Sequence, residues 1–180
     1  FVSGHSVSEH LQYGIDTYCP GKKVEEARAI YYRITEEELG KILEGRGYPD
    51  AFVPAPHLKE FLTKVKERKI RIGLVTSGLQ EKAWPEILAA FRAMKMGDPL
   101  DYYDAIITAG TALKKGQTGT LGELAPKPHP WLYAETLRVG LGMEEKDKPR
   151  VLGIEDSSAG VLSLTLAGIQ CKGGTYGRGK

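Results

Sequence analysis

The spacing of apolar residues changes near residue 54 and divides the chain into two parts. Up to about residue 53, apolar residues recur at intervals of three and four, which is typical of amphipathic helices. Such segments run from about Ser8 to Tyr18 and from Val24 to Ile34. Thr35 and Glu38 then match a capping box, which predicts a new helix that ends near Gly45. The first part is therefore predicted to be a small helical unit.

From Pro54 onward, helical segments alternate with short runs rich in β-branched residues. Buried strands are predicted at Ile70–Val75, Ala105–Thr108, Val151–Ile154 and from Ile169 to Cys171. Pro54 and Pro56 are predicted to open a helix that has Leu58, Phe61, Leu62 and Val65 on one face. Further helices are predicted at about Gln80–Met94, Pro130–Val139 and Ser157–Ala167. Pro85 fits its helix only if it lies in the first turn. The Gly- and Lys-rich stretch Gly110–Leu124 is predicted to be a loop. Alternating strands and helices favour a parallel sheet covered on both faces.

Composition and charge exclude several classes of protein. The 180 residues are 41% hydrophobic and 27% charged, which is typical of a globular domain and not of a disordered chain. A net charge of +2 gives no support to nucleic acid or an anionic membrane as the main partner. Two widely separated cysteines, Cys19 and Cys171, are predicted to be reduced thiols. No apolar run is long enough to cross a membrane, so a cytoplasmic protein is expected, and its oligomeric state cannot be read from the sequence.

The first cluster of candidate site residues directly follows a predicted strand. Ligands bind beyond the carboxyl ends of the strands in open parallel sheets. The Thr76 hydroxyl, with the amides of Ser77 and Gly78, could bind a phosphoryl oxygen there. Alternatively, Thr76 or Ser77 could be the N-cap of the next helix.

Two further clusters carry charge. Lys127 lies between two prolines just before a helix, so a rigidly placed ammonium could neutralise a transferring phosphoryl group. A solvated surface lysine is the alternative. Glu155 and Asp156 end an apolar strand, where two adjacent carboxylates suit Mg²⁺. The alternative for Asp156 is capping of the last helix.

Taken in order, these clusters resemble the motifs of the haloacid dehalogenase-like (HAD) hydrolases, in their phosphatase and β-phosphoglucomutase-like branch. The segments Ile72–Gly78, Pro126–Pro130 and Gly153–Gly160 are similar to motifs II, III and IV, and Pro54–Leu58 is similar to the return from cap to core. The resemblance implies an α/β fold with a Rossmann-like parallel core and a small helical cap. Residues 1–53 would be the cap and residues 54–180 the core, which would lack its first strand.

The resemblance also implies Mg²⁺-dependent phosphoryl transfer through an aspartyl-phosphate. Thr76, with Ser77 and Gly78, would bind the phosphoryl group of a small phosphorylated metabolite, and Lys127 would balance its charge. Glu155 and Asp156 would hold the Mg²⁺ ion. Phosphatase and phosphomutase activity are expected, while dehalogenase and phosphonatase activity remain open because those branches share the fold.

The nucleophile of the family is missing from the sequence. Motif I is an Asp-x-Asp-Gly signature, and no Asp-x-Asp occurs in the 180 residues. Because the chain begins at Phe1 and not at a methionine, the nucleophile is predicted to lie upstream of Phe1. One alternative is a HAD-like binding or regulatory module without a nucleophile. Another is a receiver-like signalling domain, although receivers carry their acidic residues early in the chain.

Overall fold

The computed structural model describes residues 7–47, 53–112, 119–120 and 125–173. Among them, residues 73–77 and 105–173 belong to a first unit, and residues 7–72 and 78–104 belong to a second unit. The predicted division into a cap and a core at residues 53 and 54 stays a prediction. Whatever was predicted for residues 1–6, 48–52, 113–118, 121–124 and 174–180 lies outside the described residues.

Parallel strands form the centre of the first unit. Strands β1 (Gly73–Leu79), β2 (Ala105–Ala112) and β3 (Gly119–Thr120) make one sheet in that order, although the last two residues of β1 belong to the second unit. Strands β4 (Leu152–Glu155) and β5 (Gln170–Gly173) make a two-stranded sheet. Both β2 with β3 and β4 with β5 run parallel. The predicted α/β fold with parallel strands is confirmed.

Helical segments pack on these strands and enclose the core of the first unit. Helix α5 (Trp131–Glu135) continues as a π-helical stretch (Thr136–Gly140), a 3-10 helix follows (Glu145–Arg150), and α6 spans Ser158–Leu166. The main buried cluster contains Tyr133, Leu137, Leu164, Ala167 and Ile169. Burial of its apolar side chains stabilises the packing of the helices on the strands.

The second unit is helical apart from the end of β1. Its helices are α1 (Val7–Tyr18), α2 (Val24–Leu43), α3 (Leu58–Glu67) and α4 (Gln80–Ala93), followed by a short 3-10 helix (Pro99–Asp101). Helix α2 packs against both α1 and α4. The Arg92 guanidinium of α4 donates to the carbonyls of Ile42 (2.8 Å) and Leu43 (3.2 Å). It therefore satisfies two C-terminal carbonyls of α2 and complements the helix dipole.

The predicted helix start at Thr35 is wrong, because α2 continues through it. Thr35 is half-buried and lies four residues from Tyr31 and from Leu39, which are also half-buried. These side chains therefore share one face of a continuous helix. Burial of that face favours continuation, and a capping box has no unpaired amides to bind in the middle of a helix.

The predicted bounds of the first strand are also wrong. Strand β1 begins at Gly73 and includes the Thr76-Ser77-Gly78 segment that was expected to follow it. Before the strand, the Ile72 amide donates to Asp104 Oδ2 and the Ile72 carbonyl accepts from the Asp104 amide, both at 2.8 Å. Helix α4 then begins at Gln80 without a side-chain cap, so neither Thr76 nor Ser77 is its N-cap.

Two smaller expectations differ from the structure. Pro85 is the sixth residue of α4 and is buried, so it lies beyond the first turn. Packing of its ring accompanies the loss of one backbone hydrogen bond. The predicted loop Gly110–Leu124 is wrong at its start and centre, because β2 continues to Ala112 and Gly119–Thr120 pairs with it.

Two observations concern the chain's environment. Cys19 is exposed, Cys171 is half-buried, and both are free thiols. Among the helices of the described residues, none combines the length and the apolar character needed to cross a bilayer.

Tyr103 makes the stability of the second unit sensitive to alkaline pH. Burial raises the pKa of Tyr103 to about 12, against ~10 in an unfolded chain. The neutral phenol stabilises the fold fully below pH ~10, and this contribution is lost as the pH rises through about 12. Between pH 9 and 12, the free energy of unfolding is therefore expected to fall by up to ~3 kcal/mol more in the parent chain than in Tyr103→Phe. Urea unfolding across this range measures the difference.

The matched control is Tyr18→Phe, because Tyr18 is 78% exposed. That variant is expected to follow the parent chain at every pH. Equal alkaline losses in Tyr103→Phe and the parent chain would contradict the prediction.

Candidate active site

The site residues predicted in the first unit come from three segments. Thr76 and Ser77 are half-buried in β1, Lys127 lies in the loop before α5, and Glu155 is the last residue of β4. Asp156 follows directly, at the turn into α6. Hydrogen bonds join Ser77 to Lys127 and Lys127 to Glu155. Gly78 belongs to the second unit.

Lys127 is held by several groups and is not the solvated surface lysine considered above. Its side chain is only 11% exposed. The ammonium donates to Glu155 Oε1 and, at 3.4 Å, to the carbonyl oxygen of Val75. Its backbone amide donates to Ser77 Oγ at 3.2 Å. Both the main chain and the side chain of Lys127 are thus anchored to β1.

Glu155 connects the lysine to the start of α6. Its side chain is 7% exposed, and Oε1 accepts from both Lys127 Nζ and the Tyr133 hydroxyl. Oε2 accepts from the Asp156 amide and from Ser157 Oγ, each at 3.3 Å. Both carboxylate oxygens therefore have partners within the chain.

These contacts keep Glu155 ionised. Burial on its own raises the pKa of Glu155, but the hydrogen bonds from Lys127 and Tyr133 and the charge of Lys127 outweigh burial. The pKa of Glu155 therefore lies below its ordinary value. Burial and the hydrogen bond to Glu155 raise the pKa of Tyr133, so its phenol stays protonated and remains a donor.

Asp156 differs from its neighbour, because its side chain is exposed. Capping of α6 by Asp156 is wrong, since Ser157 is the N-cap and its Oγ accepts from the Gly160 amide at 3.0 Å. In the part of the chain that the structure describes, the Asp156 carboxylate has no hydrogen bond or ion pair. It is thus the carboxylate of the pair that can bind an external cation.

This donor set fits Mg²⁺ in part. Mg²⁺ usually binds one or two protein carboxylates and completes its shell with water and phosphate oxygens, which suits an exposed Asp156. Among the described residues, no three His, Cys, Asp or Glu side chains are grouped as a complete metal site. The role of Glu155 as a second metal ligand stays a prediction, and its two oxygens already accept hydrogen bonds.

Sequence reasoning missed two residues that support the site. Tyr133 lies six residues after Lys127, where one aromatic residue in a helix resembles any core residue. Ser163 is fully buried in α6, and its Oγ donates to the His129 carbonyl at 2.6 Å. It thereby ties α6 to the loop that carries Lys127. A serine amid apolar helix residues was the only available signal for this contact.

The comparison with protein families decides the classification. The model of the haloacid dehalogenase-like hydrolases matches residues 4–168 of the chain. The chain belongs to this family. This assignment confirms the resemblance drawn from motifs II to IV. The roles of individual residues in this HAD hydrolase remain predictions.

Solved structures share the fold of this HAD hydrolase. One is CbbY from Rhodobacter sphaeroides in complex with phosphate, with a TM-score of 0.63 and 20% identity, covering 96% of this chain and 67% of that one. A proposed β-phosphoglucomutase from Thermotoga maritima has a TM-score of 0.59 and 22% identity, covering 98% and 68%. A CbbY mutant from Rhodobacter sphaeroides in complex with xylulose-(1,5)bisphosphate has a TM-score of 0.63 and 18% identity, covering 97% and 68%. No curated protein matches the chain.

Proposed function

We propose that this HAD hydrolase is a Mg²⁺-dependent phosphatase or phosphomutase acting on a small phosphorylated metabolite in the cytoplasm. The observation that carries the proposal is a buried, oriented Lys127 ammonium paired with Glu155, the residue that directly precedes the exposed Asp156. Two of the similar structures hold phosphate and a sugar bisphosphate, respectively, which supports a phosphorylated substrate.

Lys127 would bind and stabilise the transferring phosphoryl group. An ammonium has three donors, and the described contacts of Lys127 Nζ use two, to Glu155 and to the Val75 carbonyl. The third would donate to a phosphoryl oxygen. Because Glu155 and Val75 fix the ammonium before substrate arrives, little reorganisation accompanies the build-up of charge during transfer.

Thr76, Ser77 and Gly78 would bind the same phosphoryl group through hydroxyl and amide donors. Asp156, with Glu155 as the predicted second ligand, would hold Mg²⁺. When bound, Mg²⁺ would neutralise charge on the phosphoryl oxygens. The phosphoryl group would pass from the substrate oxygen to an aspartate carboxylate and then to water or a second hydroxyl. That aspartate would lie outside residues 1–180, upstream of Phe1, and residues 1–53 would form the cap.

Asp156→Asn tests this proposal in the full-length gene product. The substitution keeps the size of the side chain and removes its charge, so Mg²⁺ binding weakens. Mg²⁺-stimulated release of phosphate from an aryl phosphate is expected to fall at least about 10–100-fold, since loss of even an outer-shell partner of a metal ligand costs that much. Calorimetric titration with Mg²⁺ in the presence of inorganic phosphate is expected to show a matching loss of affinity.

Asp101→Asn is the matched control, because Asp101 is an exposed acid of the second unit. It is expected to leave both measurements unchanged. Equal Mg²⁺ affinity and turnover in Asp156→Asn and the parent protein would show that the metal site is misassigned. If the full-length protein binds inorganic phosphate without turnover, the alternative of a binding or regulatory module without a nucleophile replaces the proposal.

A further inference from the structure

Tyr133 contacts both members of the buried ion pair in two different ways. Its hydroxyl donates to Glu155 Oε1, the oxygen that also accepts from Lys127 Nζ. The Lys127 ammonium also lies over the Tyr133 ring, with Nζ 5.1 Å from the ring centroid. One side chain thus fixes the carboxylate by its polar end and meets the ammonium with its aromatic face.

The ring itself has little freedom. Tyr133 is buried in the core cluster of the first unit and packs with Leu137 and Leu164. A tyrosine side chain has only two rotatable angles, whereas lysine and glutamate have long, flexible stems. The packed ring can therefore serve as the rigid reference for the two charged groups.

A second lysine shows what the enclosed arrangement adds. Lys82 Nζ donates to the Tyr31 hydroxyl at 3.1 Å and lies 4.0 Å from Glu86. There the lysine side chain is 41% exposed and no shared carboxylate oxygen joins the groups. At Lys127, in contrast, the carboxylate lies between the two donors and all three groups are enclosed.

We propose that Tyr133 is a positioning residue of this hydrolase, which fixes the Lys127 ammonium through Glu155 for binding the phosphoryl group. The inference rests on the proposed function for the role of Lys127. Without the hydroxyl, Lys127 is the only side chain among the described residues that donates to Glu155 Oε1, so this oxygen and the ammonium are fixed less firmly relative to the packed core. Tyr133 acts through these neighbours and needs no contact with the reacting atoms.

Tyr133→Phe in the full-length protein tests the inference, because phenylalanine keeps the ring and its packing. Turnover of an aryl phosphate is expected to fall about 10–100-fold in kcat with little change in KM, since misplacement by ~1 Å can cost that much. The control Tyr103→Phe also removes a buried hydroxyl and is expected to leave kcat and KM unchanged at pH 7.

A second measurement does not depend on turnover. The ¹³C relaxation of the Lys127 Cε methylene, assigned by its loss in Lys127→Met, reports the order of the side chain without substrate. The order parameter of this methylene is expected to fall in Tyr133→Phe toward that of the exposed Lys146. It is expected to stay unchanged in Tyr103→Phe. An unchanged Lys127 order in Tyr133→Phe overturns the inference, whatever happens to kcat. If the parent protein shows no turnover and the Lys127 order parameter still falls in Tyr133→Phe, the positioning role is supported and only the proposed function is overturned.

Discussion

Replacing Lys127 by methionine is expected to destabilise the fold by about 3–5 kcal/mol and to lower turnover about 10²–10³-fold. Methionine has a similar length but no charge. Glu155, only 7% exposed, would then keep a buried charge without its cation. Turnover falls because the charge on the transferring phosphoryl group loses its ammonium partner. Urea unfolding at pH 7 and aryl phosphate turnover measure the two effects.

The double variant Lys127→Met with Glu155→Gln separates the two effects. It removes both charges, so it is expected to recover most of the lost stability, since replacing a buried ion pair with neutral groups is often nearly neutral. Turnover is expected to stay low, because the ammonium is still absent. A double variant as unstable as Lys127→Met would contradict this account of the buried charge.

The loss of stability also depends on pH. In the parent chain the pKa of Glu155 lies below its ordinary value, so its stabilising contribution is present above pH ~4.5 and is lost as the pH falls through the folded-state pKa. In Lys127→Met, burial remains without the cation and favours the protonated carboxyl. The difference between the two proteins is therefore expected to grow as the pH rises from the lowered pKa of Glu155 in the parent chain, and to level off only above the raised pKa of Glu155 in Lys127→Met.

Lys66→Met provides the matched control for the stability effect. Lys66 Nζ lies 3.4 Å from Asp104 Oδ1, and the two side chains are 33% and 31% exposed. Water screens such a pair, so its loss is expected to cost about 0.2–1 kcal/mol. A similar cost for Lys66→Met and Lys127→Met would show that burial of Glu155 does not matter.

The alternation of helices and strands and the positions of the site segments could be predicted because they depend on local signals. The apolar run before Glu155 and the prolines on either side of Lys127 follow from residue type alone. The exact strand ends could not be predicted, since they depend on contacts distant in sequence. Ile72 is paired by Asp104, thirty-two residues later, and β1 begins only after it.

The candidate site was predictable as a set of residues but not as a set of contacts. Charge and position singled out Lys127, Glu155 and Asp156, yet the sequence treated the two acids as equivalent. Their difference arises because Glu155 is buried against Tyr133 and the start of α6, while Asp156 is exposed. Tyr133 carried no signal, because its role depends on a hydroxyl whose partner lies twenty-two residues away.

Gly160→Ala and Gly40→Ala make the same change inside two helices, and opposite effects on stability are expected. Gly160 lies in the first turn of α6, and a Cβ there would come within 3.0 Å of the Glu155 carboxylate. Gly40 lies inside α2 with no atom within 4 Å of its Cβ position. Alanine at position 40 is expected to stabilise the protein by about 0.5–1 kcal/mol, because glycine is the poorer helix former.

Alanine at position 160 is expected to destabilise the protein by about 1–3 kcal/mol, the usual cost of overpacking, and to reduce turnover as well. A carboxylate can normally swing away from a new methyl group. Here Oε1 is held by Lys127 and Tyr133, and Oε2 by the turn that begins α6. Any movement that relieves the overlap must break some of these contacts and displace the Lys127 ammonium. Thermal unfolding and aryl phosphate turnover measure both effects, and a Gly160→Ala protein with parental stability and turnover would mean that Glu155 moves freely and does not fix Lys127.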